Sequence, residues 1–160
     1  MEIRLAQAED IPGILTLLWQ VGQVHHRGRP DIFRAGAQKY NEAQLRTMLD
    51  QPEAPIFVGV EAGKLLGYGF CFLKCHQGDP VIADFLELYI DDLCVEENCR
   101  GQQVGRRLYD HICRHARTLG CRSVTLNVWC CNPGAMAFYE KMGMRPQKVG
   151  METILEDSQC

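Results

Sequence analysis

The sequence lacks the features that would place it in a membrane, secreted or low-complexity class. Its 160 residues contain no apolar run near the roughly 18 residues that a membrane-spanning helix needs. The start, Met1-Glu2-Ile3-Arg4, has charged residues where a signal peptide would have its apolar core. No repeat, linker or low-complexity tract interrupts the chain. We therefore predict one domain over residues 1–160 that is intracellular, with a cytoplasmic location and no membrane partner.

Metal and disulfide chemistry also lack their usual sequence signals. The nine cysteines are an odd number and include no Cys-x-x-Cys pair, which is the spacing that zinc sites usually show. Disulfide scaffolds are typically short, secreted chains. We predict reduced, mostly structural thiols and no metal site.

The net charge of −3 argues against a general nucleic-acid binder, but the charges are segregated along the chain. Residues 84–97 contain six acids and no base, and residues 100–122 contain six arginines and one acid. Two ligands of opposite charge could meet at this boundary, or the two segments could be two solvated faces. The charge pattern alone leaves both interpretations open. The acids are Asp84, Glu87, Asp91, Asp92, Glu96 and Glu97.

Hydrophobic spacing and capping residues predict a single α/β domain around a mixed sheet. Asp10 and Asn41 are predicted N-caps of the first two helices, and Asn132 is the predicted N-cap of the last. A further helix is predicted over 105–119. Strands are predicted over 3–7, 56–61, 65–73, 85–95, 123–128 and 148–155.

The predicted strand over 85–95 has an irregular pattern that is informative about function. Its apolar side chains occupy even positions up to Ile90 and odd positions from Leu93 onward, so the parity changes across Asp91-Asp92. A strand with one buried face can do this only if a residue is inserted, which predicts a β-bulge. A bulge leaves backbone N–H and C=O groups that another group must satisfy.

A glycine-containing turn follows this strand and leads into the arginine-rich helix. Its sequence is Arg100-Gly101-Gln102-Gln103-Val104-Gly105-Arg106. Such a turn directs successive N–H groups to one point at the positive end of a helix, where arginines add charge-assisted bonds. The segment has neither the Gly-Lys-Ser/Thr of a P-loop nor the Gly-x-Gly-x-x-Gly dinucleotide spacing. It predicts an anion site.

Two motifs together resemble the GNAT superfamily of acetyl-CoA-dependent N-acetyltransferases, including polyamine acetyltransferase-like and RimI-like members. The first is Val95-(x4)-Arg-Gly-x-x-Val-Gly at the strand-to-helix turn. The second is Asn132-(x2)-Ala135-(x2)-Phe138-Tyr139-Glu140-(x2)-Gly143 in the next βα unit. The motifs lie within about 85–155, and the order of elements extends the likeness across the chain. Family members usually have a glycine where this sequence has Gln103.

The resemblance implies a mixed, mostly antiparallel sheet flanked by helices, with splayed strands at the cofactor site. It implies acetyl-CoA as cosubstrate, with the backbone of Leu93 and Val95 facing the thioester and pantetheine. Asn132 would bind the pantetheine arm, and Tyr139 would be the general acid. The full set of implied cofactor-binding residues is Leu93, Cys94, Val95, Arg100, Gly101, Gln102, Gln103, Val104, Gly105, Arg106 and Asn132.

The chemistry of acetyl transfer to an amine needs a base and an acid. An alkylammonium with a pKa of about 10.4 must lose a proton before it attacks, and a nearby carboxylate can accept it. We expect Asp91 to be this base, because it lies at the predicted bulge and matches the first acid of the pair in polyamine acetyltransferase-like members. Asp92 and Glu87 are the alternates. The acid-rich strand predicts a cationic small-molecule acceptor.

Other functions remain open at this point. The same fold could be a non-catalytic acyl-CoA-binding or sensor module, or an N-terminal acetyltransferase of proteins or peptides. An enzyme that binds nucleotide phosphates at the Arg-Gly turn is a third class, although the sequence lacks its metal-binding Ser/Thr. A homodimer is possible.

Overall fold

A five-stranded sheet organises the chain, and helices cover both of its faces. The structure is a computed structural model that describes residues 1–155. The strands are β1 (Glu2–Leu5), β2 (Ile56–Glu61), β3 (Lys64–His76), β4 (Phe85–Val95) and β5 (Ser123–Leu126). The helices are α1 (Ile11–Gly28), α2 (Glu42–Leu49), α3 (Val104–Thr118) and α4 (Pro133–Lys141), with short 3₁₀ turns at Ala8–Asp10 and Glu97–Cys99.

The sheet has the order β1-β2-β3-β4-β5. The first four strands are antiparallel to their neighbours, and β5 runs parallel to β4. Helices α1 and α2 pack on one face over a core that includes Tyr68 and Phe70. Helix α3 packs on the other face over a core that includes Leu88 and Ile90. The predicted mixed, mostly antiparallel α/β fold is confirmed.

All three predicted residues lie at the N-cap positions of their helices, and two of them also make a side-chain cap bond. The Asn41 side chain accepts the Gln44 N–H while the Gln44 side chain accepts the Asn41 N–H, which is a capping box. Asn132 Oδ1 accepts the Ala135 N–H at 3.1 Å at the start of α4. Asp10 occupies the predicted N-cap position of α1 but makes no side-chain cap bond, because its carboxylate instead binds the Arg4 guanidinium and accepts the Gln7 N–H.

The bulge predicted in the middle of β4 is confirmed. Phe70 of β3 pairs with Asp92, and the next residue, Cys71, pairs with Ile90, so Asp91 is the inserted residue without a partner on β3. Before the bulge, Ile90 packs in the α3 core, and after it Cys94 packs in the α1 core. The inserted residue therefore allows both halves of the strand to bury their apolar side chains.

The prediction of a last strand over 148–155 is wrong. The structure assigns no strand to residues 148–155, and Val149 and Met151 are 73% and 89% exposed. Alternating apolar residues favour an extended chain, but a strand needs a ladder of hydrogen bonds to a neighbour. No such neighbour pairs with this segment within residues 1–155.

Candidate active site

Strands β4 and β5 separate part of the way along the sheet. They pair only from Glu87 to Ile90, so the rest of β4 has no neighbour on that side among the described strands. The Glu96 N–H donates a 2.9 Å hydrogen bond to the carbonyl oxygen of Leu66 in β3, so the N–H of Glu96 faces β3. Because backbone groups alternate between the two edges of a strand, Leu93 and Val95 direct theirs toward the opening. An extended, amide-containing ligand could bind this free edge.

The side chain and backbone of Cys94 do not fit the predicted cofactor contact. By the same alternation its N–H and C=O face β3, where Cys94 pairs with Tyr68. Its thiol is buried, lies 3.7 Å from Leu17 O, and burial raises its pKa to about 12. Cys94 is therefore a core residue in this structure.

The turn between β4 and α3 has the backbone that an anion site needs. Gly101 and Gln103 both have left-handed backbones, with φ of +78° and +63°. Glycine adopts this conformation at little cost and a residue with a Cβ does not. Gln103 thus has the backbone conformation expected of glycine at the position where family members usually have one. The N–H groups at the start of α3 have no helical partners and are free to bind an anion.

The same turn is held close to β4 and α4. A Cβ added to Gly105 would lie 3.4 Å from the ring of Phe138 and 3.4 Å from the side chain of Val95. Arg100 is exposed, and its Nε lies 3.4 Å from Val95 O. Arg106 makes a long ion pair with Asp110, with 3.8 Å between Nε and Oδ2. Both guanidinium groups are available to an anion, while Val104 is buried in the core.

Tyr139 lies on α4 beside the opening of the sheet. Its ring contacts Phe138, and the Tyr109 ring is 6.5 Å away between centroids. Burial raises the pKa of its phenol, and the negative charge of Asp92 raises it further. The phenol is therefore protonated near neutral pH. No hydrogen bond of its hydroxyl occurs within residues 1–155, so the proton is available to a ligand.

Asp92 is half-buried at the bulge, next to Tyr68. Burial raises the pKa of its carboxyl, which opposes the lowering effect of a 2.7 Å hydrogen bond that Tyr68 Oη donates to Oδ2. Tyr68 is fully buried. No basic side chain lies within 4.0 Å of Asp92 in the part of the chain that the structure describes. A carboxylate in these surroundings gains by accepting a proton from a cation.

Asp91, the expected base, already has two partners. Its Oδ2 lies 2.7 Å from Lys39 Nζ and accepts a 2.7 Å hydrogen bond from Tyr40 Oη. Lys39 Nζ also donates to the Asp91 carbonyl at 3.2 Å. These contacts attach the segment before α2 to the bulge. They neutralise the Asp91 charge, and they favour a positioning role over proton transfer.

Glu87, the other alternate, is distant from the opening. It is four residues before Asp91, which corresponds to about 13 Å along a strand. Its carboxylate lies 3.5 Å from His76 Nε2 and 4.0 Å from Lys74 Nζ. The acid-rich segment is therefore not an unopposed negative surface, because Glu87 and Asp91 both have basic neighbours.

His25 of α1, Phe33 from the segment after α1 and Trp129 from the segment after β5 form a contiguous aromatic wall. Phe33 stacks on His25 with 4.9 Å between centroids and meets Trp129 edge-on at 5.1 Å. Burial lowers the pKa of His25, while the charge of Asp92 opposes this effect. The ring of His25 thus lies close enough to Asp92 for their charges to interact.

Sequence reasoning missed Tyr68, Tyr40, Lys39 and His25. Tyr68 is on a strand that was correctly predicted, but only the pairing of β3 with β4, in which Tyr68 lies opposite Cys94, brings its hydroxyl to Asp92. Lys39 and Tyr40 lie in an irregular segment whose path has no periodic signal. Their contacts could not be found from spacing in the sequence.

No metal site is evident in the described residues: no group of three or more His, Cys, Asp or Glu side chains among residues 1–155 could hold an ion. No helix there has the length and apolar character to cross a membrane.

A mixed sheet flanked by helices, with an opening between β4 and β5, is the fold of the GNAT acetyltransferases. The family model described as acetyltransferase (GNAT) family matches residues 21–144. The chain belongs to this family and is an acetyl-CoA-dependent acyltransferase. GNAT acetyltransferases use acetyl-CoA as the acetyl donor and transfer its acetyl group to an amine.

The curated relatives include glucosamine 6-phosphate N-acetyltransferases. One from Trypanosoma brucei brucei is 24% identical over 97% of this chain and 96% of its own length. One from Arabidopsis thaliana is 32% identical over 42% of this chain. That match spans 44% of the Arabidopsis protein, which is less than half of its length.

Solved structures match the whole fold. A mutant of the BH1408 protein from Bacillus halodurans has a TM-score of 0.94 and 30% identity, covering 98% of this chain and 100% of that one. A putative acetyltransferase from Agrobacterium tumefaciens has a TM-score of 0.72 and 25% identity, covering 97% and 100%. The glucosamine-6-phosphate N-acetyltransferase of Arabidopsis thaliana, at a TM-score of 0.70 and 20% identity over 97% and 98%, supports the fold alone.

Proposed function

We propose that this chain is a single-domain enzyme that acetylates the primary amine of a small molecule by direct attack in a ternary complex. The observation that supports this best is the position of two groups at the opening of the sheet. Asp92 is half-buried with no basic side chain within 4.0 Å among residues 1–155, and the Tyr139 phenol lies near enough for the two to interact electrostatically. One group can accept a proton and the other can donate one.

The donor would be held by the backbone edge of β4 and the turn before α3. Leu93 and Val95 would bind the amides of the pantetheine arm. The N–H groups at Gln103 and Gly105, with Arg100 and Arg106, would bind the pyrophosphate. Asn132 Oδ1 already caps α4, which leaves its amide nitrogen for the arm. When bound, acetyl-CoA supplies the thioester carbonyl that the amine attacks.

Asp92 would accept the proton that the amine must lose. Removing a proton at pH 7 from an ammonium group with a pKa of about 10.4 costs roughly 4.6 kcal/mol. The raised pKa of Asp92 reduces the mismatch with the ammonium, and its negative charge favours ammonium binding beforehand. Tyr139 would hold its proton at Oη and donate it to the departing sulfur.

The acceptor would carry one ammonium group rather than many. Asp91 is paired with Lys39 and Glu87 with Lys74, so Asp92 is left to bind a cation. The aromatic wall of Phe33 and Trp129 would contact an apolar or ring-shaped part of the acceptor. Because relatives are named glucosamine 6-phosphate N-acetyltransferases, an amino sugar phosphate is the first acceptor to test.

A thiol-release assay with acetyl-CoA tests the activity directly. The panel would contain glucosamine 6-phosphate, glucosamine, polyamines, aminoglycosides, amino acids and peptides with a free N-terminus. We expect turnover with a monoamine and little with polyamines. Turnover only with peptides would instead indicate an N-terminal acetyltransferase. Tight acetyl-CoA binding without turnover on any amine would indicate a binding or sensor module.

Donor binding has its own test in one variant and a matched control. Arg100→Ala should weaken acetyl-CoA binding by about 1–3 kcal/mol, the usual cost of losing a hydrogen bond to a charged group. Arg114→Ala removes the same charge from an exposed position of α3 away from the turn, and it should bind normally. Equal affinities of the two variants, measured by calorimetry, would contradict the proposed pyrophosphate site.

A further inference from the structure

A cleft lies between the second half of α1 and the segment that follows β4. Its volume is about 370 Å³, which is within the range of small-molecule sites. Of its residues, only Arg100 also belongs to the anion-binding turn before α3. The residues of the cleft that carry the argument are Trp19, Gln20, Gln23, Arg27, Glu97 and Arg100.

Two buried amide atoms of cleft residues have no hydrogen-bond partner within residues 1–155. They are Gln20 Oε1, which is an acceptor, and Gln23 Nε2, which is a donor. The Gln20 amide is oriented by its Nε2, which donates to Glu96 Oε2 at 3.1 Å, so Oε1 is the atom left over. Because buried polar groups in folded proteins nearly always have a partner, this pair fits a ligand that has one donor and one acceptor.

The cleft also combines an aromatic ring with positive charge. Trp19 is 51% exposed, so part of its ring is free to stack on a planar group. Arg27 and Arg100 are exposed, and each guanidinium donates only to a backbone carbonyl within residues 1–155. Against these two cations the cleft has one acid, Glu97. This balance favours an anionic ligand over an ammonium.

The cleft adjoins the proposed pyrophosphate site, because Arg100 belongs to both. In acetyl-CoA the pyrophosphate joins the pantetheine arm to an adenosine that carries a 3′-phosphate. When the arm lies along β4 and the pyrophosphate lies at the turn, the adenosine must leave the turn over a neighbouring surface. Asp92, the proposed proton acceptor, is not among the residues of the cleft, so the cleft fits the donor rather than the amine.

We infer that this cleft binds the nucleotide end of acetyl-CoA, with adenine stacked on Trp19 and the 3′-phosphate at Arg27. Adenine has an amine that donates next to a ring nitrogen that accepts, which matches Gln20 Oε1 and Gln23 Nε2. The Glu97 carboxylate accepts a hydrogen bond from the ribose hydroxyl. The inference rests on the donor site of the proposed function, to which it adds the residues that recognise the nucleotide.

Calorimetry with three probes tests this assignment: acetyl-CoA, 3′-dephospho-acetyl-CoA, and acetyl-phosphopantetheine, which has no nucleotide. Trp19→Ala should weaken acetyl-CoA binding roughly 10- to 100-fold, as expected for loss of a base–aromatic stack, and leave acetyl-phosphopantetheine unaffected. Arg27→Ala should weaken acetyl-CoA binding roughly tenfold or more and leave the 3′-dephospho form unaffected. The matched control Arg117→Ala removes the same charge from the last turn of α3 and should bind all three probes as the wild type does.

Tryptophan fluorescence identifies the stacking surface. The chain has two tryptophans, so Trp129→Phe leaves Trp19 as the only one. In this variant adenosine 3′,5′-bisphosphate should quench the emission, and pantetheine should not. Bisphosphate that leaves the emission unchanged would overturn the stack.

Gln23→Leu tests the amide atoms by two measurements. The free protein gains no bond from Nε2, so the variant should unfold at the same temperature as the wild type or higher, yet bind acetyl-CoA more weakly. Normal acetyl-CoA binding in Trp19→Ala and Arg27→Ala would overturn the inference and leave the proposed function standing. A wild type that binds none of the three probes would overturn both. All these readouts measure binding or stability, so they do not depend on which amine is acetylated.

Discussion

Tyr68 and Asp92 form a 2.7 Å hydrogen bond from the Tyr68 hydroxyl to Asp92 Oδ2 inside the sheet, next to the inserted residue of the bulge. Tyr68 has no solvent exposure, so its hydroxyl has few alternatives to this acceptor. The bond lowers the pKa of Asp92, whereas burial raises it and is the stronger effect. The balance leaves a carboxylate that binds protons more readily than an ordinary aspartate.

The first prediction is that Asp92 sets the acid limb of the pH–rate profile. Asp92→Asn should lower kcat by roughly 10²–10⁴-fold at pH 7, the usual range for loss of a general base. The loss should be smaller at pH 9.5, where more of the amine is already free. Tyr68→Phe removes the contact that lowers the Asp92 pKa, so the acid limb of this variant's pH–rate profile should move to higher pH. Steady-state rates from pH 5 to 9.5 test both effects.

Asp91→Asn is the matched control for this prediction. It keeps the size of the side chain and weakens the contact with Lys39 rather than removing the proposed base. We expect a higher KM with a similar fractional activity at pH 7 and pH 9.5. The assignment of Asp92 fails if Asp91→Asn shows the strongly pH-dependent loss and Asp92→Asn does not.

The second prediction is that Asp92→Asn, which should lower activity, should raise the stability of the fold. The pKa of Asp92 is raised in the folded state, so its charged form opposes folding once the pH exceeds the unfolded value near 3.9. Each unit of elevation corresponds to about 1.4 kcal/mol. Asp92→Asn should therefore raise Tm at pH 7, and its advantage over the wild type should shrink toward pH 4. Thermal unfolding across this range checks the sign; an Asn variant that is less stable at pH 7 would contradict it.

The sequence was sufficient for the parts of the fold that depend on local pattern. The change of parity across Asp91-Asp92 located the bulge, and Asn41 and Asn132 located two helix starts. The strand over 148–155 was wrongly predicted, because periodicity describes one strand and says nothing of its neighbour. Asp10 also lies at its predicted N-cap position, but its side chain makes no cap bond because a nearby guanidinium, Arg4, binds its carboxylate.

The candidate site was only partly predictable for a related reason. Tyr139, Asp92 and the turn at Gln103 belong to motifs with recognisable spacing. The partners that distinguish Asp91 from Asp92 come from distant segments, Lys39 in one case and Tyr68 in the other. Which acid is neutralised is decided by tertiary contacts, and these are not encoded in local spacing.

The third prediction is that Tyr139 provides the proton for the leaving sulfur. Its raised pKa keeps the phenol protonated at neutral pH, so Oη carries a proton that it can donate while negative charge develops on the departing sulfur. Tyr139→Phe should lower kcat by roughly 10²–10⁴-fold while acetyl-CoA affinity stays near that of the wild type.

Tyr109→Phe is the matched control for Tyr139. Its ring is 6.5 Å from the Tyr139 ring, and burial raises the pKa of its own phenol to about 12. It should keep most of the turnover. Full activity in Tyr139→Phe would show that the residue only packs.

The fourth prediction follows from the left-handed backbone of Gln103. At φ of +63° a residue with a Cβ is strained by roughly 1–2 kcal/mol, and glycine is not. Gln103→Gly should therefore keep the turn in the same shape and raise the free energy of unfolding. The gain should be at most about 1 kcal/mol, because glycine also gains freedom in the unfolded chain.

Gln103→Val, which is β-branched, should destabilise the turn and weaken acetyl-CoA binding, since the N–H groups before α3 would no longer converge. Chemical denaturation and calorimetric titration with acetyl-CoA distinguish these outcomes. If both variants bind acetyl-CoA as the wild type does, the conformation at residue 103 has no part in holding the pyrophosphate.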